Sequence, residues 1–305
     1  MASKATNKVT KDIIRYPEIH LWQARDGYRF AVRKWSVANP RAEVVFLHGI
    51  VSHGGWYLAS CSFLAQRGYQ IHFLERRGSG LNLAGRGDVP SYRTWLEDVV
   101  DYLERIPGRP RVLLGISWGA KLAAAVAGEF PNTCEAVGFI GPGLFAFQQA
   151  GLGKQALLRI LRKVGLGRIR VTIPLQDPHL FTDNPDWLWY LASDPLTLRK
   201  VTIQFATEDL KLNSLARRNP EAIRQPALLI LAGQDRICDN QRTKQYFNRI
   251  GGAKHLVEFP SCHHTLEFEP DPLPYFQALV HWLEEITSSY TKSFRQERRC
   301  LSIEP

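Results

Sequence analysis

The stretch RVLLGISWGAKLAAAVAGEF, residues 111–130, changes character at its centre. Residues 111–117 form a short apolar run of the kind that makes a buried strand. From Trp118 to Phe130 alanine and other small residues dominate, which favours a closely packed helix. Between the two stands Gly115-Ile116-Ser117-Trp118-Gly119. A serine placed on a sharp strand-to-helix turn is lifted clear of the sheet, where its hydroxyl can attack a substrate. Such a turn leaves no room for side chains at the two flanking positions, so glycine is needed at Gly115 and Gly119. Ser117 is therefore the candidate nucleophile.

Outward from this stretch the chain alternates strands and helices. Apolar strand-like runs occur at 44–49, 69–75, 136–141, 227–233 and 255–259. Helical segments are expected at 57–66, 92–104 (with Ser91 as N-cap), 241–250 and 273–287. Before them, IHLWQA and YRFAVRKW flank Asp26-Gly27 and read as a β-hairpin. Strands separated by helices of ten or so residues predict a doubly wound, mostly parallel α/β sheet with an N-terminal hairpin. Residues 145–222 break the rhythm. They carry several prolines and read as helical and loop-like, an inserted cap over the carboxyl edge of a core made of residues 1–144 and 223–305.

A serine nucleophile needs a base, and the base needs an orienting acid. Two late loops supply them. Asp235 follows the 227–233 strand in GQDR, with Asp239 as the local alternative. His263 and His264 follow the 255–259 strand in PSCHHTLEFE. The oxyanion requires two N–H donors. Trp118, just after the nucleophile, offers one, and Ile50, in the loop after VVFLHG, offers the other. His48 in that loop reads as a brace. Cys238, three residues beyond Asp235, is a near-site candidate whose thiol is either open to a bulky reagent or buried and inert.

The formal net charge is +10. The positive charges are spread along the chain without interleaved aromatics, so no nucleic-acid groove is expected. Five cysteines lack any CxxC pair, no dinucleotide or P-loop glycine motif is present, and neither a metal nor a cofactor is expected. The absence of a secretory-type leader or a long apolar span, with unpaired cysteines, points to a cytoplasmic setting. Lys292, Arg295, Arg298 and Arg299 read as a loose basic tail after the last helix. Within the cap, Leu157, Ile160, Leu161 and Val164 share one helical face and Arg159, Arg162 and Lys163 the other. That face is expected either to pack on the core or, with the arginines, to lie on an anionic membrane, a peripheral contact through the cap.

The segments FLHGIVSHGGWY, LERRGSGLN, GISWGAKLA, SDPLTLRK, LAGQDRICD and HHTLEFE, in this order, resemble the monoacylglycerol lipase and lysophospholipase-like group of the α/β-hydrolases, also labelled serine aminopeptidase S33-type. The resemblance implies the α/β-hydrolase fold and a serine esterase or lipase acting on a lipid-like ester, such as a monoacylglycerol or lysophospholipid, through an acyl-enzyme. A thioesterase or an N-terminal aminopeptidase is the alternative within the fold, and a non-catalytic binding protein the alternative outside it. The family histidine heads an H-x-L-x-x-E run. Here that run is His264, Leu266 and Glu269, which selects His264 over His263. Two departures stand out. The family's Asp-His-Arg-Gly-His-Gly loop reads Glu75-Arg76-Arg77-Gly78-Ser79-Gly80, and Val51 follows Ile50 where glycine is common.

Overall fold

A computed structural model describes residues 14–106, 108 and 110–301, with side chains as far as residue 292. An eight-stranded sheet forms the centre, in the order β1-β2-β4-β3-β5-β6-β9-β10. The hairpin β1 (Glu18–Gln23) and β2 (Arg29–Trp35) runs antiparallel at one edge. From β4 (Gln70–Leu74) through β3 (Glu43–Leu47), β5 (Arg111–Ile116), β6 (Ala136–Ile140), β9 (Ala227–Ala232) and β10 (Lys254–Phe259) every pairing is parallel. The inner strands are apolar at almost every position because helices cover both sheet faces. Those helices are α1 (Leu58–Ala65), α2 (Tyr92–Arg105), α3 (Trp118–Glu129), α7 (Asn240–Asn248) and α8 (Leu273–Leu301). The parallel run places the loops after β3, β5, β6, β9 and β10 at one edge, where α/β folds bind ligands.

Between β6 and β9 the chain builds α4 (Leu152–Lys163), α5 (Pro185–Ser193) and α6 (Ile203–Arg218). It also makes a two-stranded ribbon, β7 (Arg170–Thr172) with β8 (Lys200–Thr202). The ribbon was not expected. Its only sequence signals are the short β-branched runs RVTI and KVTI, too brief to separate from loop.

Two expectations are corrected. The tail is not loose at the backbone: α8 continues to Leu301, because residues 288–300 contain no glycine or proline and are rich in good helix formers. The side chains of Arg295, Arg298 and Arg299 lie outside the described residues. Most of the apolar stripe of α4 does not pack on the core either, although Leu161 is half-buried. Leu157, Ile160 and Val164 are each more than half exposed, whereas Gln155, Leu158 and Arg162 face the protein. Arg162 pairs with Glu208 and Thr207 of α6, so it is not free to meet a membrane.

Glu267, in the segment that follows β10, is buried. One oxygen accepts the Ser60 N–H at 2.9 Å and the other has no partner. Desolvation, in the company of Tyr57, Cys61 and Tyr275, pushes its carboxyl up to about 7 from 4.5. The folded state thus holds a proton that the unfolded state has already released, and stability falls as pH rises from about 4.5 to about 7. The loss is roughly 3 kcal/mol. Glu267→Gln is neutral throughout, so its stability advantage over wild type in urea unfolding is expected to grow from pH 5 to pH 7.5. An advantage that is flat across this range contradicts the assignment.

Candidate active site

Ser117 sits between β5 and α3 with φ +52° and ψ −114°, one of two non-glycine residues with positive φ among those described. The strain is held by neighbours. The Ser117 N–H donates to Ile140 O at 2.9 Å, and its carbonyl accepts from Gly143 N at 2.8 Å. A Cβ on Gly119 would strike Leu47 O, and one on Gly115 would strike Gly119 O and Ala120 N. The turn therefore exists only because both positions are glycine.

Asp235 and His264 arrive from neighbouring parallel strands, β9 and β10. Asp235 Oδ2 lies 2.8 Å from His264 Nδ1, and both side chains are buried. Asp235 Oδ1 accepts from the N–H groups of Ile237 and Cys238 at 2.7 and 2.9 Å, which fixes the carboxylate's orientation. The alternatives are engaged elsewhere. Asp239 caps α7 by accepting from Arg242 N, and His263 lies between Glu269 and Asp183 at 3.1 Å each. Gly141, just after β6, packs against the His264 ring, and Gly143, two residues on, packs against Ser117.

The loop after β3 crosses over Ser117: a Cβ on Gly49 would come within 3.4 Å of Ser117 Cβ. His48 accepts the Arg76 N–H at Nε2, so its Nδ1 is the donor to Gly49 O at 2.8 Å. Arg76 donates to Gly49 O at 3.2 Å and to Ile50 O at 2.8 Å. The Gly49–Ile50 peptide is trans, so a carbonyl tied to His48 and Arg76 turns the Ile50 N–H the opposite way. Trp118 is the first residue of α3, and its N–H has no acceptor within the helix. Ile50, Ser117 and Trp118 share the wall of one cavity of about 640 Å³.

Arg76 is the site residue that sequence reasoning noticed only as a departure from a family loop. It is 8% exposed, and burial pushes its guanidinium down to about 9. The cation lies over the Trp118 ring at 4.5 Å and donates to Ser79 Oγ. A second unforeseen contact joins the two parts of the chain. Asp194, in SDPLTLRK, accepts from Trp56 Nε1 at 2.8 Å and meets His53 Nε2 at 2.7 Å, and Leu198 N donates to Val51 O.

Cys238 lies beside the pair: Sγ, a carboxylate oxygen of Asp235 and a ring nitrogen of His264 fall within 4.8 Å of one another. It is 2% exposed, and burial pushes its thiol well above the usual range. Of the two readings, this burial favours the inert thiol, since reactivity needs exposure and thiolate.

The profile of the serine aminopeptidase S33 hydrolases matches residues 38–271, most of the chain. The chain belongs to that family. Relatives of the S33 chain include a monoacylglycerol lipase of Mycolicibacterium smegmatis, 24% identical over 88% of this chain and 95% of that one. Another is phospholipase YtpA of Bacillus subtilis, 25% identical over 80% and 95%. Among solved structures, the monoacylglycerol lipase of Paleococcus ferrophilus superposes with a TM-score of 0.78 at 22% identity, covering 85% of this chain and all of that one. The S33 chain thus has the α/β-hydrolase fold read from its sequence.

Proposed function

We propose that the protein is a serine hydrolase that cleaves a carboxylic ester of a lipid-like substrate through an acyl-enzyme. The observation that carries this reading is the 2.8 Å Asp235–His264 contact, delivered to the sheet edge where Ser117 stands in a strained turn on a large cavity. Membership of the S33 family and the lipase and phospholipase relatives support it.

Ser117 Oγ attacks the ester carbonyl as His264 Nε2 takes its proton. Asp235 holds the imidazole with Nδ1–H turned toward the carboxylate and stabilises the imidazolium. The N–H groups of Ile50 and Trp118 receive the oxyanion. His264 then protonates the leaving alcohol, a water attacks the acyl-Ser117 carbonyl with His264 as base, and the acid departs. Residues 145–222 serve as the cap: Leu158, Val171, Ile173, Pro174 and Leu175 give the cavity an apolar wall suited to an acyl chain. An aminopeptidase would need a free carboxylate for the substrate's ammonium. Asp209, the carboxylate on this wall, is already held by Lys121 and Trp118, and this favours the ester reading. The test is a series of nitrophenyl esters of graded chain length beside aminoacyl nitroanilides. Ester turnover well above anilide turnover is expected, and the reverse overturns the reading.

The outward stripe Leu157, Ile160 and Val164 is the peripheral lipid contact. Because apolar area drives it, vesicle sedimentation is expected to persist in high salt, and to fall in Leu157→Ser with Ile160→Ser. Sedimentation abolished by salt, or none at all, contradicts this contact. Among the described residues no helix is long and apolar enough to cross a membrane.

A further inference from the structure

The cavity beside Ser117 has a charged wall that hydrolysis of a neutral ester does not use. Lys121, Lys154, Arg159, Arg217 and Arg218 border it, against the single carboxylate of Asp209. Two of these cations are neutralised. Lys121 Nζ lies 2.7 Å from Asp209, and Arg218 pairs with Glu129 at 3.0 Å. Lys154, Arg159 and Arg217 form no ion pair among the described residues.

Arg217 is the most telling of the three. Its guanidinium is partly buried against the Phe145 ring at 4.4 Å, and Arg242 lies over the same ring at 4.7 Å. It donates to the Leu144 carbonyl, a neutral acceptor. Burial and the neighbouring Arg242 push it down to about 10, so it remains a cation at neutral pH. A partly desolvated cation beside a second cation is unfavourable until an anion joins it. Asn213 and Ser214, on the same helix, and Gln149 and Gln155 add neutral hydrogen-bonding groups to the lining. Val171, Ile173, Pro174 and Leu175 give the same cavity an apolar stretch of lining.

We infer that the ester cleaved at Ser117 carries an anionic group, a phosphate or a carboxylate, that sits against Arg217, Lys154 and Arg159 while its alkyl chain follows the apolar wall. The inference deepens the esterase reading and rests on it. Charge-assisted hydrogen bonds to such a group are stronger than the neutral bonds a glycerol hydroxyl could make in the same place. Three cations that form no ion pair among the described residues also raise the local concentration of an anionic substrate in a partly enclosed cavity.

The test compares two matched pairs with the full chain: a 1-acylglycerol against its 3-phosphate with the same acyl chain, and nitrophenyl pentanoate against nitrophenyl hemiglutarate. All four are assayed below micelle formation. At least one anionic ester is expected to exceed its neutral partner about tenfold or more in kcat/KM, the preference shrinking as salt rises. Preference in the first pair identifies phosphate, in the second carboxylate. Arg217→Gln is expected to bring the anionic-to-neutral ratio close to one. Lys154→Gln with Arg159→Gln, both at exposed positions of α4, is expected to lower it several-fold and decides the matter should Arg217→Gln fail to fold. Equal kcat/KM within both pairs, or a preference that none of these substitutions lowers, overturns the inference while leaving the esterase reading intact. If none of the four esters is hydrolysed, the esterase reading itself falls, and the inference with it.

Discussion

Asp235→Asn is expected to lower kcat by about 10⁴-fold while leaving the fold intact, the size of effect seen when a triad loses its acid and the imidazole takes the wrong tautomer. The geometry makes the expectation specific. Asp235 Oδ1 accepts two backbone N–H groups and Oδ2 faces His264 Nδ1. An asparagine can keep its oxygen toward Ile237 and Cys238, and its amide nitrogen then points at Nδ1. That nitrogen donates, so Nδ1 becomes the acceptor and the proton moves to Nε2. His264 can then no longer take the proton of Ser117. Melting temperature and circular dichroism close to wild type, with kcat collapsed, is the predicted pair of results. If Asp239→Asn is the damaging change and Asp235→Asn is mild, the acid has been misassigned.

Arg76→Met is expected to lower kcat about 100-fold with little change in KM. Losing a whole oxyanion donor costs about 10²–10³ in kcat, and this substitution misaligns one without deleting it. Methionine fills the space between the Trp118 and Phe205 rings but holds neither Gly49 O nor Ile50 O. His48 still grips the Gly49 carbonyl, so the loop keeps part of its shape while the Ile50 N–H loses its fixed direction. Stability is expected to change little, because a desolvated cation is removed along with its bonds. This separates a positioning role from a structural one. Arg76→Lys, whose single ammonium cannot span two carbonyls as a guanidinium does, is expected to fall between. A kcat within twofold of wild type for Arg76→Met, in a protein that melts normally, contradicts the role.

The proposed order of Ser117, Asp235 and His264 could be read from the sequence because three local constraints coincide. The elbow around Ser117 needs its two glycines, Asp235 closely follows an apolar strand, and His264 lies in the loop after the next one. A parallel sheet then brings strand ends together however far apart they lie in the chain. The segment between β6 and β9 was less legible. A helical period tells which side chains share a face, and of the four it grouped Leu157, Ile160 and Val164 are exposed together while Leu161 is half-buried. It does not tell whether that face meets protein or solvent, and here it meets solvent while Arg162 turns inward to Glu208. Arg76 was hidden for a related reason. A charged residue in a glycine-rich loop reads as solvated, and only the fold shows it buried beneath Gly49 and Ile50. The free cations of the cavity wall come from α4 and α6, more than fifty residues apart, and no local pattern links Lys154 and Arg159 to Arg217.

The central claim is that Ser117 becomes covalently acylated, and trapping that covalent state tests it most directly. The protein is incubated with a fluorophosphonate probe, and the adduct is located by mass spectrometry of the intact chain and its peptides. One adduct per chain is predicted, confined to the peptide that contains Ser117, absent in Ser117→Ala and strongly slowed in His264→Gln. No adduct on the wild-type protein, or the same adduct on Ser117→Ala, would contradict the account.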